Sequence, residues 1–106
     1  MKVYISIPIT GKDYKKQREH ADQIARSLSR KGYEPVNPFN IYAGKNPDYW
    51  DHICYNLRAL ADCDVIYLCE GWSYSCGCSI ERDFALQAQI HGKKQYMIIY
   101  EQTPNP

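Results

Sequence analysis

At 106 residues and 12.4 kDa the chain has room for one domain of ordinary size, 1–106. Its 13 Lys and Arg against 12 Asp and Glu leave a net charge of +1, with no electrostatic footprint for a nucleic-acid polymer or an anionic membrane. Hydrophobic residues at 44% and charged residues at 24% exclude wholesale disorder, and no apolar run approaches the roughly 18 residues of a membrane span.

Lys2–Ile7, rich in β-branched and aromatic residues and stopped by Pro8, predicts a strand. Asp13–Lys31 carries Ala21, Ile24, Ala25 and Leu28 at helical spacing, with Gly32 as its stop. Tyr33–Val36 reads as a short strand and Asn37–Pro47, with its prolines and asparagines, as a loop. Asp48 caps a second helix whose buried stripe is Trp50, Ile53, Leu57 and Leu60/Ala61. Val65–Cys69 is the most apolar run, as in a covered central strand. A loop over Glu70–Cys78, a third helix over Ser79–His91 and a strand over Tyr96–Tyr100 follow. The T-P-N-P tail is expected to be loose.

Strands alternating with crossover-length helices predict a doubly wound α/β domain, flavodoxin- or Rossmann-like, with about four parallel strands and three helices. Ligands of such sheets bind at the carboxyl ends of the strands. Chemistry therefore belongs to Ser6–Lys12, Asn37–Asn46 and Glu70–Glu81. The chain lacks a P-loop, a G-x-G-x-x-G after its first strand, and a nucleophile elbow.

Five cysteines is an odd number, and no apolar signal segment precedes the first strand. A reduced, cytoplasmic compartment is expected. Cys76 and Cys78 form C-x-C, but no zinc or iron–sulfur spacing is present, so the cysteines are read as structural and no metal or other cofactor is expected. Glu81 falls in the expected first turn of the third helix, where a helix start favours an ionised carboxylate able to act as a nucleophile; such a glutamate often only complements the helix dipole. Tyr4 lies near the carboxyl end of the first strand and Trp72 in the following loop could stack on a base or a sugar. Asp62 and Asp64 sit at the wrong end of the central strand for chemistry.

Three segments in order resemble one family: Val3–Gly11 (V-Y-I-S-I-P-I-T-G), Asn56–Leu68 (N-L-R-A-L-A-D-C-D-V-I-Y-L) and Gly71–Glu81 (G-W-S-Y-S-C-G-C-S-I-E). The chain is similar to the nucleoside 2-deoxyribosyltransferase superfamily, in a small uncharacterised branch. That resemblance implies an enzyme that cleaves the N-glycosidic bond of 2′-deoxynucleosides or their 5′-monophosphates, with transfer to another base or to water. It implies Glu81 as the nucleophile toward C1′, Tyr4 as its hydrogen-bond partner, and Asn56 where family members often carry an aspartate that handles the leaving base. Ser75 stands where transferases carry an aspartate, and resembles the monophosphate N-glycosidase branch, where a serine contacts the phosphate. With Ser75, the substrate-binding candidates are Gly77, Trp72, Ser6 and Pro8, and backbone N–H groups around Gly77 and Ser79 would complete an anion site. Ile7 stands where the family commonly has glycine.

Two other readings stand beside it: a non-catalytic nucleotide-binding or sensor protein, motivated by Asn56, and a redox or metal protein using Cys76 and Cys78. The expected partner is a small nucleoside or nucleotide. Ten tyrosines and two tryptophans against two phenylalanines suit a pocket or an interface. So short a domain has little wall to close a pocket, which implies a homodimer or larger homo-oligomer, with Tyr74 lining the pocket and Tyr49 and Tyr55 at the interface.

Overall fold

Four short strands carry the β-branched and aromatic runs: β1 (Lys2–Ser6), β2 (Glu34–Val36), β3 (Val65–Leu68) and β4 (Met97–Tyr100). Between them lie α1 (Tyr14–Arg30), α2 (Tyr49–Ala61) and α3 (Cys76–Ile90). They belong to a computed structural model that describes residues 1–102; the T-P-N-P tail falls outside the described residues. The strands form one all-parallel sheet in the order β2-β1-β3-β4. This is the doubly wound α/β arrangement that the alternation predicts, with the strand order reversing between β1 and β3.

Side-chain alternation sorts the strands onto two helical layers. Val3, Ile5, Val65 and Cys69 pack against Ala21, Ile24 and Leu28 of α1 on one face. Tyr4, Ile66 and Leu68 meet Leu60 of α2 and Ala85 of α3 on the other. Covering both faces is what leaves β3 almost wholly apolar.

Local chemistry sets the helix ends. Asp13 caps α1 by accepting from Lys16 N–H at 3.1 Å. Asp48 and Asp51 form a reciprocal capping box at the start of α2, with bonds of 2.8 and 3.0 Å. The α2 stripe is buried at Ile53 and Leu60, but Trp50 is 63% exposed, because the first turn of α2 overhangs the end of the sheet rather than its face. Asp62 ends α2 and Asp64 accepts from Lys2 N–H at 3.0 Å, both at the amino end of the sheet. The two loops at the opposite end contain short 3-10 turns, Pro38–Asn40 and Trp72–Tyr74.

α3 begins at Cys76, ahead of the expected Ser79. The reason is Ser75, whose hydroxyl oxygen accepts from Cys78 N–H at 3.2 Å and caps the helix there. Glu81 therefore lies in the second turn of α3, not the first. Among the described residues no helix is long and apolar enough to cross a membrane.

Candidate active site

Tyr4 and Ser6 are two residues apart on β1, so both point to the face that α3 covers. The sixth residue of α3, Glu81, descends between them and is only 4% exposed. Tyr4 donates its hydroxyl to Glu81 Oε2 at 2.5 Å, and Ser6 donates to Oε1 at 2.7 Å. Each carboxylate oxygen thus has one donor and keeps a lone pair free.

Burial pushes the Glu81 carboxyl up from 4.5 to about 7, while the bonds from Tyr4 and Ser6 pull it back toward the charged form. Desolvation outweighs two charge-assisted hydrogen bonds. It also reverses the expectation of a carboxylate favoured by a helix start, because the second-turn position moves Glu81 away from the free N–H groups. Burial, and then the charge of Glu81, hold the Tyr4 phenol well above its ordinary range, so Tyr4 remains a donor.

Above Glu81 opens a cavity of about 650 Å³. It lies at the carboxyl ends of β1 and β3, where the strand order reverses. Its walls are aromatic. Tyr14 meets Phe39 edge to face at 5.2 Å, and Tyr49 meets Trp50 in the same way at 5.0 Å. Polar groups converge on it: Glu81 and Tyr4 at the floor, Asn56 and His52 on one face of α2, Ser75, Cys76 and Gly77 at the start of α3, and Thr10 with the tyrosine hydroxyls of its walls. An apolar cavity with a few convergent polar groups is the usual form of a small-molecule site.

Of the residues singled out from sequence, Glu81, Tyr4, Asn56, Ser75 and Gly77 share this cavity. Ser6 reaches it through Glu81. Pro8 and Trp72 are not among its lining residues: Pro8 is buried beside Gly71, while Trp72 packs against Tyr100, with its ring 4.9 Å from the Arg82 guanidinium. The left-handed Gly71, φ 85°, turns the chain out of β3 and swings Trp72 to that side. A Cβ at Gly77 would lie 3.5 Å from Ile53 Cδ1, an ordinary van der Waals contact, so the packing of α3 on α2 does not itself require glycine there. Ser79 offers no anion-binding N–H, since its amide donates to the Ser75 carbonyl at 3.0 Å. The free amides of the first turn are those of Cys76 and Gly77.

Tyr74, 96% exposed, lines the cavity mouth, and Tyr49, expected at an interface, lines the cavity too. Tyr55 is exposed outside the lining. His52 and Trp50 line the cavity as well. The helical spacing to Asn56 signals His52, one turn away on the same side of α2, whereas Trp50, six residues from Asn56, carries no such signal. Cys76 is exposed and Cys78 buried, and neither belongs to a cluster of metal-ligating side chains among the described residues.

A family model matches residues 1–93. The chain belongs to the family described as Domain of unknown function (DUF4406). No curated protein matches this DUF4406 chain. Among solved structures it is similar to a 2-desoxiribosyltransferase from Leishmania mexicana, with a TM-score of 0.65 and 16% identity. The alignment covers 96% of the DUF4406 chain and 65% of the other, so the chain spans just under two thirds of that protein. At this identity the likeness is one of fold.

Proposed function

We propose that the chain cleaves the N-glycosidic bond of 2′-deoxynucleosides or their 5′-monophosphates, with Glu81 as nucleophile. The observation that carries this reading is Glu81 itself: a buried carboxyl, gripped by two hydroxyls, at the floor of an aromatic cavity. The fold likeness to a 2-desoxiribosyltransferase supports it.

In the first step a Glu81 oxygen bonds to C1′ as the C1′–N bond breaks, and the bonding pair leaves with the base, which takes up a proton from solvent. The transition state is oxocarbenium-like, and the carboxylate stabilises its positive charge before closing the ester. In the second step a nitrogen of another base, or water, bonds to C1′ and gives up its proton to solvent, and the ester oxygen departs as carboxylate. Tyr4 and Ser6 hold that carboxylate in line without exchanging protons. The faces of Tyr49, Trp50 and Phe39 offer stacking surface to a base, and Asn56 offers an amide to its edge. In this reading residues 1–106 act as one domain in the cytoplasm, and a homo-oligomer closes the open side of the cavity, with the exposed Tyr55 at its interface.

Ser75 distinguishes the substrates. Its hydroxyl proton and the Cys76 and Gly77 amides form a donor cluster suited to a 5′-phosphate. Faster base release from monophosphates than from nucleosides is expected across a substrate panel, and Ser75→Ala should remove that preference by about tenfold while costing about 1 kcal/mol as a lost cap. Ser75→Asp keeps the cap but repels phosphate, so it should favour unphosphorylated nucleosides. Equal response of both substrates to both variants would remove Ser75 from phosphate recognition.

A second reading is a nucleotide-binding protein that does not turn over. Asn56 favours it, since an amide in the cavity can bind a base but cannot carry a proton to it. Calorimetric binding of deoxynucleotides with no base release over hours would select this reading.

A further inference from the structure

On the sheet face opposite Glu81, three side chains from three separate elements converge. Cys69, directly after β3, points toward α1 and is 1% exposed. His20, in the second turn of α1, and Glu101, just beyond β4, meet beside it with His20 Nε2 2.8 Å from Glu101 Oε2. The imidazole nitrogen, the thiol sulfur and the carboxylate oxygen all lie within 4.8 Å of one another.

The carboxylate is held in place independently of His20. Its other oxygen accepts from Glu70 N–H at 2.8 Å, and the Glu101 amide donates to the Leu68 carbonyl at 2.8 Å. A carboxylate oriented by a backbone donor, with one oxygen turned toward a histidine and a cysteine, has the arrangement of a supported metal ligand.

We propose that His20, Cys69 and Glu101 form a binding site for a divalent transition-metal ion, with zinc the best match. Nitrogen, sulfur and oxygen donors together suit a borderline-soft ion, whereas magnesium and calcium take oxygen ligands. Zinc bonds of about 2.0–2.3 Å place tetrahedral ligand atoms roughly 3.3–3.8 Å apart, so closing this cluster takes side-chain rotations of about 1 Å. On binding, the Cys69 S–H bond breaks, its proton goes to solvent and the sulfur pair goes to the metal, with no change of oxidation state. Thiolate and carboxylate together then neutralise the ion. His20 is the most open of the three, with a side chain 39% exposed against 15% for Glu101, so the ion enters, and its fourth position opens, on the His20 side. The ion would tie α1 to the ends of β3 and β4, on the face away from the aromatic cavity.

The test is titration of the purified, reduced chain with cobalt(II) as a spectroscopic stand-in for zinc. One equivalent should produce a thiolate-to-cobalt charge-transfer band and the intense visible bands of a tetrahedral site, and zinc should displace it. Cys69→Ser should abolish the charge-transfer band, and His20→Gln should weaken binding at least tenfold. His20 is at the surface, so its variant keeps the readout should Cys69→Ser fail to fold. Replacing the exposed Cys54 and Cys76 by serine should leave the spectrum unchanged. Absence of the band in the wild-type chain, a band that survives in Cys69→Ser, or undiminished affinity in His20→Gln would each overturn the proposal.

Discussion

Glu81→Gln is expected to abolish base release, by a factor of at least about 10³, and at the same time to make the chain more stable above neutral pH. Both effects have one cause. Glutamine keeps the shape and can still accept from Tyr4, but its amide is no nucleophile toward C1′. Removing a covalent nucleophile corresponds to 4 kcal/mol or more of barrier at about 1.4 kcal/mol per decade. The stability effect follows from linkage. Glu81 titrates near 7 in the folded chain against 4.5 when free, so between those values the folded state binds the extra proton. The contribution of that proton is fully present below about 4.5 and is lost as pH rises through 7. At pH 8 the ionised Glu81 then costs about 3 kcal/mol. Glutamine escapes that cost, which corresponds to a melting temperature higher by on the order of 10 °C at pH 8. The advantage should shrink toward zero near pH 4.5. Equal pH dependence of melting in the two proteins would show that Glu81 is not a buried carboxylate of this kind.

Tyr4→Phe is the second large effect, and it should read out as a displaced pH profile more than as a lost fold. The phenylalanine ring fills the same space beside Leu60, Ile66 and Ala85. What disappears is the hydroxyl that donates to Glu81 Oε2. A hydrogen bond to a charged group contributes about 1.5–3 kcal/mol. Its loss raises the Glu81 carboxyl further, since burial already dominates and one of the two bonds that oppose it is gone. The wild-type kcat/KM should rise with pH through an inflection near 7, because the carboxylate must be ionised to attack. In Tyr4→Phe the inflection moves upward, and kcat/KM at neutral pH falls roughly 10- to 100-fold. Activity should recover as the pH is raised. A uniform loss at every pH would assign Tyr4 a packing role only.

The parts of this arrangement that were legible in the sequence are those fixed by short-range rules. Strand and helix alternation predicts the parallel sheet, whereas Tyr4, expected near the carboxyl end of the first strand, sits at the middle of β1 and Ser6 at its end. Glu81 was visible because it follows a glycine-containing loop after the most apolar strand. The start of α3 is not legible in the sequence because Ser75 and Ser79 are both plausible near a helix start, and only the three-dimensional path shows which hydroxyl accepts from the helix. That shift replaces a helix-start argument for an ionised Glu81 with a desolvation argument for a carboxyl poised near neutrality. Trp50 was placed inside by its spacing with Ile53, yet the stripe of a helix says nothing about where the sheet beneath it ends. Trp72 followed the turn of Gly71 away from the cavity. The grouping of His20, Cys69 and Glu101 had no sequence signal at all, since the three residues belong to separate elements joined only by the sheet.

Central to the proposed chemistry is a bond from Glu81 to the sugar. The direct measurement is mass spectrometry of the chain quenched during reaction with a 2′-deoxy-2′-fluoro nucleoside, whose electron-withdrawing fluorine slows release of the sugar from the ester. One sugar residue should be found on the peptide that contains Glu81, matched by one equivalent of free base, and neither should form with Glu81→Gln. Base released without a sugar on that peptide, and released equally by Glu81→Gln, would contradict it.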